Sequence, residues 1–283
     1  MNATRYFSLT LLLSLLSNAP CFSMDRGEPS LPTDEEIEAI VSECQCNPYS
    51  EPFTFDTEGM DPIDALLWRA VAGGNEDGVG QALADRADPN ATNPQVNTVY
   101  KLYDRQGTFC LLQGHSAFHV ALELGRPRIA ARLLRSGASL EKCTAGGRSP
   151  LCSAVHHCRY CPVSMKLLLA WGAKANERGE NGISPLYAAC SIRGEAGDDA
   201  VRALLGAGAD PNLEARFMVA DKEVCRPPLL QAGDGAAAIL CADPRTDLHC
   251  RDEAGQDVFS FPRSSEGKKA IVRKALARRG QLR

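Results

Sequence analysis

The sequence predicts an all-α fold, a stack of helix–turn–helix units with β-hairpin fingers between them, and three observations predict it. First, one pattern recurs: an apolar residue, alanine three positions on, a break, then an apolar helix ending in Leu-Leu and a Gly-Ala turn. Copies start at Leu67, Phe118, Leu151, Leu186 and Leu229, with a degenerate sixth near Phe259, at separations of 51, 33, 35, 43 and 30 residues. Such units bury one side each and gain stability by stacking. Second, alanine, leucine and glycine dominate while aromatics are 6% of residues, as close-packed short helices require. Third, the repeats leave no residue block for a second domain.

The chain opens on Arg5 and an apolar run, LTLLLSLL, over residues 9–16, followed by a polar break. That is the layout of a secretory signal peptide, with an apolar stretch too short to span a bilayer. The expected cut follows Ser23, with Cys21 and Ser23 as the small residues; a cut after Pro20 that leaves a lipid-modified Cys21 is the alternative. Residues 1–23 are therefore expected to be a signal peptide, and the working protein to be periplasmic or secreted. The net charge of −4, from 31 basic and 35 acidic residues, becomes one unit more negative without Arg5. This mild acidity disfavours a broad nucleic-acid surface, and no other stretch has the length of a membrane span.

Residues 24–60 read as an N-terminal arm with an acidic capping helix. Thr33 is its N-cap, ahead of Asp34, Glu35 and Glu36. The repeats occupy residues 61–256. Their second halves read QALADRADPN, ARLLRSGASL, KLLLAWGAKAN and RALLGAGADPN. Ser149 and Ser184 are placed to cap first helices, with Pro150 and Pro185 in the first turn. Gly137, Gly172 and Gly208 are placed to stop second helices in a left-handed turn.

With Ser149-Pro150-Leu151, Ser184-Pro185-Leu186-Tyr187-Ala188-Ala189 and Gly208-Ala209-Asp210-Pro211-Asn212, the chain resembles the ankyrin-repeat family. The resemblance implies an ankyrin solenoid of five repeats plus a degenerate sixth, recognising a protein through its concave face. Residues 257–283 form the degenerate repeat and a C-terminal cap. That cap is a charged helix with Ile271, Ala275 and Leu276 facing inward and basic residues where the helix dipole favours them.

Two departures from regularity locate the expected binding surface. Residues 92–114 form an insertion whose halves can pair as a hairpin around Asp104-Arg105-Gln106-Gly107. Residues 213–226 form a second long finger. Tyr and Arg on such loops are favoured contact anchors, which makes Tyr100, Lys101, Tyr103, Arg105, Phe109, Arg216 and Phe217 the candidate partner contacts. Packed hairpins with no partner are the equal alternative.

The chain has twelve cysteines, many for a reducing cytosol and in keeping with export. Cys110 with Cys143, and Cys225 with Cys250, lie in successive fingers and are candidate bridges. Cys158 and Cys161, beside His156 and His157, suggest zinc or a redox pair. A structural staple of that turn is the plainer reading, because the second Cys-x-x-Cys of a zinc ribbon is missing.

No nucleophile elbow, phosphate-binding Gly-x4-Gly-Lys or His-Glu-x-x-His is present. The expectation is a non-enzymatic, monomeric binding protein with no cofactor, no metal, no nucleic acid and one protein partner. Its bacterial variants would be a periplasmic immunity protein, a factor supporting an enzyme, or an exported effector. The alternative is a metal- or thiol-dependent redox protein using Cys158 and Cys161.

Overall fold

The computed structural model describes residues 31–43, 57–93, 102–104, 107–109, 115–144, 147–157, 161–179, 182–219 and 222–281. The expected signal peptide lies outside these, as do Cys110 and Cys158. Within residues 32–283, α1 (Asp34–Ser42) precedes a series of helix pairs: α2 (Pro62–Gly73) with α3 (Glu76–Ala84), α4 (Ala117–Glu123) with α5 (Pro127–Arg135), α6 (Pro150–His156) with α7 (Pro162–Ala170), α8 (Pro185–Ser191) with α9 (Glu195–Gly206), and α10 (Pro228–Gln231) with α11 (Asp234–Ala242). A last helix, α12 (Glu266–Arg278), follows. Each first helix packs on the next first helix from α2 to α10, and the second helices run alongside in the same order to α12. The core is the continuous apolar seam between pairs, with Trp68, Phe118, Leu167 and Leu186 fully buried.

Local sequence dictates these elements. Ser149 and Ser184 accept hydrogen bonds from the Cys152 and Tyr187 N–H groups at 3.3 and 3.2 Å, and the prolines that follow hold the first turn. Gly137, Gly172 and Gly208 have φ of 91, 87 and 85°. Beyond the turns, one asparagine joins each unit to the next. Asn90 Nδ2 donates to the Gly137 carbonyl at 3.0 Å while its Oδ1 accepts from Ser139 N–H at 2.8 Å. Asn176 does the same with Gly208 and Asp210, and Asn212 with Arg245 and Asp247. The second pair has Glu141 where the asparagine would stand, and there a Lys174–Glu141 ion pair of 2.5 Å makes the link.

Both ends differ from the sequence expectation. The acidic helix α1 has its capping box, with Thr33 and Glu36 bonded reciprocally. It packs against α5 and α7 rather than on the first pair, so it braces the side of the stack. At the other end, residues 257–264 form turns instead of a first helix. Pro262 offers no N–H and disfavours helical backbone at Phe261, and Asp257 Oδ1 accepts from the N–H groups of Phe259 and Ser260. In α12 the buried residues are Lys268, Val272, Ala275 and Leu276, with Ile271 only half-buried. Lys268 Nζ donates to the Leu230 and Ala232 carbonyls, both at 2.9 Å, at the end of α10. Arg279 donates to the Cys241 carbonyl in the last turn of α11 and to the Asp243 and Thr246 carbonyls beyond it. The terminal helix is thus bolted at both ends onto carbonyls that the preceding helices leave unpaired.

Candidate protein-binding surface

The finger over residues 213–226 is a hairpin, β3 (Ala215–Val219) antiparallel to β4 (Lys222–Arg226), with Phe217 opposite Val224 and Met218 opposite Glu223. Side chains on a strand alternate between faces, and the two faces of β3 differ. On the inner face the Phe217 ring lies 6.0 Å from that of Tyr187, centroid to centroid. The Arg226 guanidinium sits 5.7 Å from the Phe217 centroid and 5.1 Å from that of Phe261, a pair of cation–π contacts. Tyr187 is buried, which raises its hydroxyl pKa, and its OH donates to Gln231 Oε1 at 3.3 Å. The outer face presents Arg216 and Met218 to solvent, Met218 at 65% exposure.

The hairpin is also fixed at its base. Arg216 N–H donates to the Gly182 carbonyl at 3.0 Å, and Arg178 Nε donates to the Glu214 carbonyl at 3.0 Å. Of the two residues expected to grip a partner here, Arg216 points outward and Phe217 braces the finger. Met218 went unnoticed in the sequence. Its signal was available: it shares the alternation phase of Arg216 at the tip of a polar hairpin.

The first finger contains β1 (Leu102–Asp104) paired antiparallel with β2 (Gly107–Phe109), Tyr103 opposite Thr108. Thr92 and Ser116 form an isolated bridge, so the insertion leaves and rejoins the stack at one point. Tyr103 and Phe109 lie in these strands. Tyr100, Lys101 and Arg105 lie outside the described residues.

The first helices offer less surface than the sequence suggests. Every side chain of Ala117–Glu123, and of residues 150–155 and 185–190, is buried. Exposed large apolar groups on the first helices are confined, among the described residues, to Ile63 and Leu66 on α2.

Beneath α4 lies a buried polar cluster. His115 Nε2 and Glu123 Oε1 are 2.9 Å apart with both side chains fully buried, and Arg148 stands 3.9 Å from the same oxygen. Burial alone would push the Glu123 carboxyl up, but the His115 hydrogen bond and the charges of His115, His157 and Arg148 hold it below the usual range. His119 Nδ1 is 2.9 Å from Ser116 Oγ and accepts from the Ser116 N–H at 3.4 Å. Burial, reinforced by His115, lowers its pKa to about 3, so this ring is neutral near pH 7. The cluster ties the turn before α4 to its end.

The thiols are recessed. Burial pushes Cys152 and Cys241 up to about 11 and Cys190 to about 12. Cys250 reaches about 12 through burial together with the charges of Asp247 and Cys241. A raised pKa removes the thiolate that nucleophilic or redox chemistry uses. Cys161 is fully buried at the start of α7, within 3.4 Å of Ser164 Oγ. The structure holds Cys225 and Cys250 as free thiols, so the finger-to-finger bridge between them is not formed in it; Cys225 N–H donates instead to Glu253 Oε2 at 3.1 Å. Among the described residues no three His, Cys, Asp or Glu side chains group as metal ligands, and no helix is long and apolar enough to cross a membrane.

In a comparison with known families, residues 181–216 match the family model described as Ankyrin repeat. The segment begins just ahead of Ser184-Pro185, runs through α8 and α9, takes in Gly208 to Asn212, and ends at Arg216 on β3. The match supports the ankyrin-repeat family, whose repeats generally mediate protein–protein interaction.

Proposed function

We propose that this chain is a non-enzymatic protein-binding module, an ankyrin solenoid of five repeats with a degenerate sixth, that works outside the cytoplasm as a monomer and holds a protein partner on its long fingers. One observation carries the reading. The β3–β4 finger is braced from behind by Phe217, Arg226 and Tyr187 while Arg216 and Met218 face solvent. A rigid, pre-ordered edge carrying an arginine and a flexible apolar group loses little freedom on binding, which is what a contact anchor needs. The first finger, the β1–β2 hairpin, adds a second edge. The inner helices between contribute scaffold, since their side chains are buried.

Action outside the cytoplasm rests on the leader layout of residues 1–23. Cys161, the described half of the alternative Cys158–Cys161 redox pair, is fully buried, where a thiol is inert. Inhibition of a toxin, or support of an enzyme, are the roles that a clamp of this kind fits. The test is affinity capture from an extract of the native compartment with the native chain, with Arg216→Glu/Met218→Asp, and with residues 94–114 deleted. A specific protein recovered by the native chain and lost from either variant supports the reading. Recovery unchanged in both counts against it.

A further inference from the structure

We propose that the outer seam between α5 and α7 is a second docking surface, which takes an acidic amphipathic helix of a partner and which α1 occupies until that partner displaces it. This site is independent of the fingers.

Three observations meet there. The first is burial. Aligned on Leu133-Gly137-Ala138, Leu168-Gly172-Ala173 and Leu204-Gly208-Ala209, the second helices α5, α7 and α9 can be compared position by position. Ala131 and Leu134 of α5 and Val163 and Leu167 of α7 are buried, at 2, 5, 3 and 0% exposure. Their counterparts in α9, in the order Arg202, Leu205, Asp199 and Ala203, are exposed or half-buried. On a helical wheel the extra buried positions of α5 lie on one flank of its core stripe and those of α7 on the opposite flank. They form two apolar walls of one groove, and α5 and α7 are the helices on which α1 packs.

The second is charge. The groove is rimmed by Arg128 and Arg135 of α5 and Lys166 of α7. α1 and its C-cap answer with Glu38 at 3.9 Å from Arg128, Asp34 at 2.5 Å from Arg135, and Glu43 at 2.9 Å from Lys166. Between these pairs Ile37 and Val41, four residues apart, are buried. The groove therefore reads an apolar i, i+4 pair flanked by carboxylates, the helix-in-groove mode of recognition.

The third is how lightly α1 is held. It spans nine residues, too few for a stable helix by itself, and its ion pairs are at least a third exposed, where such pairs contribute little. It packs on the second and third pairs rather than on the first, its neighbour in sequence. Release of α1 would open an apolar groove with a basic rim.

The test uses the full chain and, as probe, a fluorescein-labelled peptide of residues 32–43. Ile37→Asp/Val41→Asp, which frees the tethered α1, is expected to bind the peptide at least tenfold more tightly than the native chain by anisotropy. Adding Arg128→Glu, Arg135→Glu and Lys166→Glu should abolish that binding. Equal binding by the native and released chains, or binding that survives charge reversal, would overturn the proposal. So would concentration-dependent dimerisation of the native chain, which would make a second copy the occupant. A readout on the native chain needs no variant: the α1 amides should exchange hydrogen at least a hundredfold faster than the core amides of α5 and α7. Exchange of α1 as slow as theirs contradicts a displaceable helix.

Discussion

Arg216 closes onto Gly182: its N–H donates to the Gly182 carbonyl at 3.0 Å, and its own carbonyl oxygen fills the space that a Cβ on residue 182 would need. Gly182 has φ of 74°, so two requirements for glycine coincide at the base of the candidate binding edge.

Gly182→Ala should therefore cost more than an ordinary turn substitution. The left-handed backbone alone costs an alanine about 1–2 kcal/mol, and the finger must also retreat. The expected result is a loss of about 2 kcal/mol or more in urea unfolding, with faster hydrogen exchange over residues 215–226. Native-like exchange there would show that the finger does not depend on this contact.

Arg86 stands where the later turns have Gly137, Gly172 and Gly208, and it keeps the same left-handed backbone, φ 69°. Its side chain is exposed. Arg86→Gly should relieve the strain and stabilise the chain by about 0.5–1 kcal/mol, the strain relieved being partly offset by glycine's freedom in the unfolded state. A destabilised variant would mean that the guanidinium contributes more than its exposure suggests.

Acid should weaken the stack through His119 before it reaches the carboxylates. The folded pKa is lowered to about 3 from 6.5, so the unfolded chain takes up a proton that the folded chain refuses. Stability from this group is full above about pH 6.5 and falls as the pH drops towards 3, by roughly 2 kcal/mol at pH 5. Glu123, depressed in the fold, adds a further loss below its unfolded value. Urea titrations at pH 7.5 and 5 measure the difference, and His119→Asn should remove its own share, leaving what the buried His156 and His157, also lowered, contribute. An unchanged pH dependence in that variant would place the effect elsewhere.

The repeats were legible because their rules are local. Ser149-Pro150 and Ser184-Pro185 cap helices whatever surrounds them, and Gly172 or Gly208 ends one. The asparagine links were not legible, because Asn90, Asn176 and Asn212 reach groups 32 to 49 residues further along the chain. What escaped was set by contacts distant in sequence. Nothing near α1 says that Ile37 and Val41 will lie against α5 and α7. Phe217 reads as an exposed loop aromatic until Tyr187 and Arg226 close on it. In α12 the buried stripe passes through Lys268, which a hydrophobic pattern assigns to solvent; its partners, the Leu230 and Ala232 carbonyls, come from another helix. The phase error that favoured Ile271 over Val272 follows from that one residue. Of the candidate contacts, Arg216 sits on the open face of its strand and Phe217 on the closed one, a distinction that needs the hairpin register.

The most direct measurement of the central claim is an isothermal titration of the captured partner into the native chain and into Arg216→Glu/Met218→Asp, with matched thermal unfolding of both. An anchor pair at a rigid edge should weaken binding at least tenfold when its charge and apolar surface are reversed, with the melting transition unmoved. Equal affinity for the two proteins would contradict the account and move the binding surface away from the β3–β4 finger.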